Sequence, residues 1–204
     1  MSIDFEFFGC KIKIDFLFIA IIAFIFVVDK TGFVFSALLL SIAHEIGHLI
    51  AFWMSKVKIE EVNFGFANID ICKAGSEFFY DPKREVFVAL SGPLMNFLIF
   101  FLLLSVYYFN REIKYFYFAV QSLAIGVINI LPIESLDGGR ALGLILEQKL
   151  GFEKSWKLLK IISWMFLIPI TFFGVYLLLK SKYNFSILIL ALYLVFEIFN
   201  SSTF

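Results

Sequence analysis

Cysteine and histidine are both scarce in this sequence, with two of each among 204 residues. Cys10 and Cys72 form no CxxC pair, which argues against a disulfide framework and against a cysteine zinc site. An excess of either charge is also missing, because 17 Lys and Arg residues balance 17 Asp and Glu residues. Nucleic-acid-binding surfaces are basic, so we expect no nucleic-acid partner.

Apolar residues, in contrast, are abundant. They make up 61% of the chain, the mean hydropathy is +0.93, and phenylalanine alone occurs 29 times. Soluble domains are about 45–50% apolar, so this excess is too large for a water-soluble protein. The composition predicts an integral membrane protein in contact with the lipid bilayer.

Six apolar segments are visible, several of them close to the roughly 20 residues that a spanning helix needs. They cover residues 16–28, 33–54, 86–109, 115–133, 156–179 and 185–200. We therefore predict an all-α, multi-pass membrane protein with about six transmembrane helices. We expect one domain over residues 1–204, with no soluble regulatory domain.

The connection between the second and third apolar segments has a different pattern. Apolar and polar residues alternate over residues 62–71, which predicts a short strand or a small β-hairpin inserted between helices two and three. Residues 134–155 have the pattern of a turn followed by a short amphipathic helix that ends near Gly151.

Both histidines belong to one motif, "HEIGH" at residues 44–48, inside the second apolar segment. Polar groups at this depth cost roughly 2.5 kcal/mol or more each unless they have a partner or line a cavity. His44 and His48 share a helix face, so both imidazoles can bind one zinc ion, with Glu45 beside them as general base. The alternative is that the histidines are packed core residues or helix–helix contacts.

A catalytic zinc ion normally has a third protein ligand, which here must be a carboxylate or a cysteine. Asp137, in the segment "NILPIESLDGGR" (129–140), is the first candidate, because Gly138 and Gly139 allow a close approach of the backbone. Glu134 is the second candidate. An ordinary turn with Asp137 as a helix cap is the alternative interpretation.

The distribution of Lys and Arg predicts the orientation of the chain. The connections on the N-terminal side of the membrane carry twelve of these residues and those on the other side carry five, which favours cytoplasmic termini. The second and fourth helices then both run inward, and they bring residues 44–48 and Asp137 to a similar depth. A cut near the cytoplasmic face follows from this topology.

At this point the sequence resembles the site-2 protease family of intramembrane zinc metalloproteases. The resemblance rests on "HEIGH" in an early helix and "NILPIESLDGGR" after a later one, supported by "ALSGPLMN" (89–96) and by "GCKIKIDFLFIA" near the N-terminus. The short six-helix layout is most similar to the bacterial stage IV sporulation branch. A member of that branch releases a sporulation sigma factor from its membrane-tethered precursor.

The resemblance implies one Zn²⁺ per chain, held by His44, His48 and Asp137, and a water-activating role for Glu45. It also implies a substrate-positioning role for Asn129, and Asn96 matches another element of the family that we group with it. The implied substrate is a membrane-tethered protein such as a pro-sigma factor, cleaved in a membrane of the bacterial cytoplasmic type.

The resemblance is also compatible with inhibitory membrane proteins as binding partners. Branch members often carry a nucleotide-sensing CBS domain, which we do not expect in residues 1–204. The alternating segment 62–71 is expected to offer a strand edge on which an unwound substrate can pair.

Two rival functions remain at this stage. A membrane zinc protease that trims prenylated proteins takes a downstream glutamate as third ligand and lacks the Asp-Gly-Gly turn, so Asp137 discriminates against it. A zinc-binding transporter or regulatory membrane protein without hydrolysis would have no use for Glu45 as a proton acceptor.

Overall fold

The computed structural model describes residues 2–7, 10–55, 59–64, 69–73, 81–181 and 186–200. Seven helices are found in this part of the chain: α1 (Phe16–Val28), α2 (Phe33–Met54), α3 (Pro82–Asn110), α4 (Ile113–Asn129), α5 (Asp137–Leu150), α6 (Phe152–Ser181) and α7 (Ser186–Asn200). Four strands accompany them: β1 (Ser2–Phe7), β2 (Cys10–Asp15), β3 (Ile59–Phe64) and β4 (Ile69–Lys73).

Three of the helices are long and apolar enough to cross a membrane: α2, α3 and α6. Many of their large apolar side chains are exposed, which is unusual for a water-soluble protein; Trp53 is 79% and Phe109 81% accessible. Both observations support a membrane protein. Six spans stay a prediction, because α1, α4 and α7 are shorter than a full crossing.

The chain divides into two compact units, one formed by Met1–Asp81 with Leu94–Gly126 and the other by Pro82–Pro93 with Val127–Phe204. The expectation of a single domain over residues 1–204 stays a prediction.

The first unit contains a four-stranded sheet in the order β1-β2-β3-β4. β1 and β2 form an antiparallel pair, β2 and β3 run parallel, and β3 and β4 are antiparallel. We expected one strand or hairpin over residues 62–71. The structure has two antiparallel strands in this connection, β3 and β4, on either side of residues 65–68, which lie outside the described part. It adds two N-terminal strands, β1 and β2, that the sequence pattern did not indicate.

The second unit is built around α6 and α7. Its buried apolar cluster consists of Ile133, Leu167, Leu194 and Ile198. Gly174 of α6 lies against the backbone of α7. A Cβ atom added at Gly174 would be only 3.1 Å from the Leu188 nitrogen. Small residues that allow such close backbone contact are how helices associate in lipid, where no hydrophobic force drives them together.

Two boundaries near the proposed site are informative. The amphipathic helix expected to end near Gly151 is confirmed as α5, and Gly151 follows it with a φ of 75°. The fourth apolar segment was expected to reach residue 133, whereas α4 ends at Asn129. A turn replaces the last residues, in which the Leu131 N–H donates to the Ile128 carbonyl over 3.1 Å.

The link between α1 and α2 is organised by the Asp29 carboxylate. Its oxygens accept hydrogen bonds from the Phe35 N–H over 2.9 Å and from the Thr31 N–H over 3.1 Å. The Phe35 bond is the largest cause that lowers the pKa of Asp29 to about 2. The carboxylate therefore accepts a backbone N–H from the first turn of α2, the helix that carries the histidines, whose N-cap residue is Gly32.

Asp29→Asn should lower the melting temperature of the detergent-solubilised protein at neutral pH, because the variant loses the charged acceptor. Since the folded-state pKa lies below the unfolded value, the contribution is complete above about pH 4 and is lost as the pH falls through about 2. The difference in melting temperature should therefore shrink over this range. A difference that stays constant down to pH 2 would contradict the assignment.

Candidate metal centre

His44 and His48 lie one helical turn apart in the middle of α2, and both are buried, with 5% and 8% of their surfaces accessible. Their rings meet edge to face with centroids 4.9 Å apart. The two Nε2 atoms face each other at 3.3 Å.

That separation is the one expected for two imidazoles on one metal ion. Zinc–nitrogen bonds are about 2.0–2.1 Å, and a tetrahedral angle between two such bonds places the nitrogens about 3.3–3.4 Å apart. The histidine pair therefore already has the spacing of two tetrahedral ligands.

Asp137 completes a group of three potential ligands. One ligand atom from each of His44, His48 and Asp137 lies within 4.8 Å of the others, and the described residues contain no second such group of His, Cys, Asp or Glu. Two imidazoles and a carboxylate are a donor set that zinc accepts. Glu134, the competing carboxylate, is not part of this group.

Two glycines fix the position of Asp137 at the start of α5. A Cβ atom at Gly138 would lie 2.0 Å from the Ile130 carbonyl oxygen, and one at Gly139 would lie 1.9 Å from that of Ile133. No other residue type fits where two backbones are this close. The N-cap position belongs to Leu136, and no side chain caps α5, so the interpretation of Asp137 as a simple helix cap is not supported.

The turn before α5 is also tied to α6 by a buried hydroxyl. Ser163 Oγ accepts a hydrogen bond from the Glu134 N–H over 2.9 Å and donates one to the Leu159 carbonyl over 2.8 Å. Ser163 is fully buried. Ser163 could not be predicted from the sequence, since its partner lies 29 residues away and no local pattern links them.

A cavity of about 440 Å³ adjoins Asp137 within the second unit. Its walls contain the carboxylates of Glu134, Asp137 and Glu147 and the guanidinium group of Arg140. Apolar side chains, including those of Trp156 and Leu159, complete the lining. The space is large enough for several side chains of a bound peptide.

Asn96 of α3 lies against His44. Its Oδ1 atom is 3.1 Å from His44 Nδ1, its Nδ2 atom donates to the Ser122 carbonyl over 3.4 Å, and the Ser122 hydroxyl donates to the Asn96 carbonyl over 2.8 Å. Asn96 and Ser122 are both fully buried. The structure thus places Asn96 beside a histidine, and it identifies Ser122, which sequence analysis missed.

The remaining predicted residues have simpler positions. Glu45 is half-buried in α2 next to His44, and Asn129 is the half-buried last residue of α4.

The amino-acid sequence of the chain is similar to those of two curated proteins. No protein-family model matches the chain. A zinc metalloprotease of Methanocaldococcus jannaschii is 32% identical over 127 residues, which is 57% of this chain and 35% of that protein. Stage IV sporulation protein FB of Bacillus subtilis is 30% identical over 128 residues, or 59% of this chain and 42% of that protein. The chain thus matches less than half the length of both curated relatives.

A solved structure shares the fold. The site-2 protease from Methanocaldococcus jannaschii superposes with a TM-score of 0.65 over 96% of this chain and 93% of that one, at 24% identity. At this identity the likeness shows a shared fold. In the described residues, the group of His44, His48 and Asp137 is the one that could hold a metal ion.

Gly138→Ala should displace the first turn of α5 and with it the Asp137 carboxylate, because the added Cβ atom would collide with a backbone oxygen. We expect a loss of about 3 kcal/mol or more in stability, together with loss of metal binding. Zinc content of the purified protein measures the effect.

Gly143→Ala is the matched control on the same helix. Its Cβ atom would meet only the flexible end of Leu159, at 3.2 Å, so both folding and zinc content should persist. Equal zinc content in the two alanine variants would contradict the role assigned to the Gly138 contact.

Proposed function

We propose that the chain is an intramembrane zinc endopeptidase that cleaves a membrane-tethered protein. The observation that carries this proposal is the group of His44, His48 and Asp137, whose ligand atoms lie within 4.8 Å of one another. Three protein ligands leave one position of a tetrahedral ion open, which distinguishes catalytic from structural zinc sites. The curated relatives named as a zinc metalloprotease and a sporulation protein support the same conclusion.

Glu45 is the proposed general base. Zinc bound by the three ligands would polarise a peptide carbonyl and make a water molecule easier to deprotonate. Glu45 follows His44 directly in α2 and is half-buried, so it can take the proton from that water and return it to the leaving amine. In this scheme His44, His48 and Asp137 hold the ion and transfer no proton.

An extended substrate segment is needed, because helical backbone carbonyls are already hydrogen-bonded. The strand order bears on where the substrate could pair. β3 is bonded on both sides, by β2 and β4, whereas β4 is an outer strand of the described sheet. We therefore assign the pairing edge to β4 rather than to the whole of residues 62–71.

Asn129 and the cavity beside Asp137 are proposed to contact the substrate. Asn129 ends α4, and the cavity of about 440 Å³ begins a few residues further along, at Glu134. An extended peptide of several residues fits a space of this size.

The proposed topology has six spans and both termini in the cytoplasm. It is supported by the bias of Lys and Arg and by the three long apolar helices. The substrate would be cut near the cytoplasmic face, which would release a cytosolic fragment; a pro-sigma factor is one substrate of this kind.

Glu45→Gln should abolish cleavage while zinc remains bound, because the amide keeps the shape of the side chain but cannot accept a proton. General-base catalysis contributes about 10²–10⁴-fold, so the rate should fall by at least that factor. The experiment co-expresses wild type or variant with candidate single-span precursors and measures release of the cytosolic fragment.

Glu112→Gln is the matched control, since Glu112 lies in the exposed link between α3 and α4 and pairs with Lys114. Its cleavage rate should equal that of wild type. Persistent cleavage by the purified Glu45→Gln variant would overturn the base assignment. Wild type that binds zinc and cleaves nothing would instead favour a non-proteolytic transporter or regulatory protein.

A further inference from the structure

Asn96 occupies a junction of three helices in the first unit. It lies on α3, its side chain contacts His44 of α2, and Ser122 of α4 contacts both its amide nitrogen and its backbone carbonyl. No part of Asn96 is accessible to solvent. A buried amide in a membrane protein must find partners for its oxygen and its nitrogen, and here it finds both.

The contact with Ser122 determines which way the amide faces. The Ser122 carbonyl can only accept a hydrogen bond, so the Asn96 atom 3.4 Å away must be the NH₂ group. The amide oxygen is then left to face His44. A flipped amide would instead set the Asn96 side-chain oxygen against the Ser122 carbonyl oxygen.

This orientation in turn selects one form of the His44 ring. The Asn96 oxygen has no proton to give, so the Nδ1 atom 3.1 Å away must be the protonated ring nitrogen. In a neutral imidazole the other nitrogen then carries the lone pair. That nitrogen is Nε2, the atom that faces His48 Nε2 at 3.3 Å.

We propose that Asn96, oriented by Ser122, is a positioning residue that holds His44 in the Nδ1–H tautomer with Nε2 presented to the metal. The inference rests on the proposed metal site. It differs from the substrate-positioning role predicted from the sequence, because both ends of the buried amide are already engaged within the protein. Outer partners of this kind orient metal-binding histidines in many proteins.

The first test reads the tautomer directly in the unmodified chain. The protein has only two histidines, so the nitrogen NMR spectrum of a histidine-labelled, metal-free sample at a pH above the imidazole pKa contains two rings. His48→Gln identifies the signals of His44. We expect His44 to be protonated at Nδ1 and unprotonated at Nε2. Protonation at Nε2 would overturn the proposal.

The second test compares metal affinity in two matched variants. Asn96→Leu removes the acceptor for His44 and should weaken zinc binding by about 10–100-fold in a chelator competition assay. Gln121→Leu removes another buried amide, one that bonds to Ser36 and to the Phe33 carbonyl but not to His44. It should lower stability and leave zinc affinity unchanged.

These outcomes distinguish the proposed role of Asn96 from the proposed protease function. Equal zinc affinity in Asn96→Leu and wild type, or an equal loss in Asn96→Leu and Gln121→Leu, would reduce Asn96 to a structural role and overturn the inference. Wild type that binds no zinc would refute the proposed function instead. The tautomer of His44 would still decide the role of Asn96 in that case, since it is measured without metal.

Discussion

A neutral imidazole within an apolar helix has one donor and one acceptor, and both need a partner because lipid offers none. In this protein the Nδ1 atom of His44 faces an amide oxygen and its Nε2 atom faces the second histidine. Leaving such a group unpartnered at membrane depth would cost several kcal/mol. The contacts of the site meet this requirement. Asn96, where three helices meet, is the partner of Nδ1, and the Nε2 atoms of the two histidines lie close enough to bind one metal ion.

A second constraint acts on the carboxylate. Asp137 can belong to the ligand group only if α5 begins at the right place, and the backbone contacts at Gly138 and Gly139 set that start. Ser163 holds the preceding turn through Glu134. The proposed metal binding thus depends on close backbone packing as well as on the ligands, as expected in a bundle where small residues and hydroxyls make close helix contacts.

The sequence predicted the features that depend on local spacing. Residues 44 and 48 share a face in any α-helix, so the histidine pair could be inferred without a structure. The ends of α1 and α2 agree with the apolar segments 16–28 and 33–54, because the polar link between them interrupts the pattern. The turn expected at Asp137, Gly138 and Gly139 lies earlier in the chain, at residues 134–135, and these three residues begin α5.

Features that depend on distant pairing could not be read from the sequence. The bond between Asn96 and His44 joins residues 52 apart, and the parallel pairing of β2 with β3 joins strands separated by α1 and α2. A serine or asparagine in an apolar helix signals only that it needs a partner. Which partner it finds is decided by packing.

In the proposed site, one metal ion is bound by two imidazoles and the Asp137 carboxylate. X-ray absorption spectroscopy of the zinc-loaded protein tests it most directly, with Asp137→Ala and the matched Glu134→Gln variant measured alongside. We predict two nitrogens and at least one oxygen at about 2.0–2.1 Å in wild type and in Glu134→Gln, and loss of the bound zinc in Asp137→Ala. An unchanged spectrum in Asp137→Ala, or sulfur among the ligands of wild type, would contradict the account.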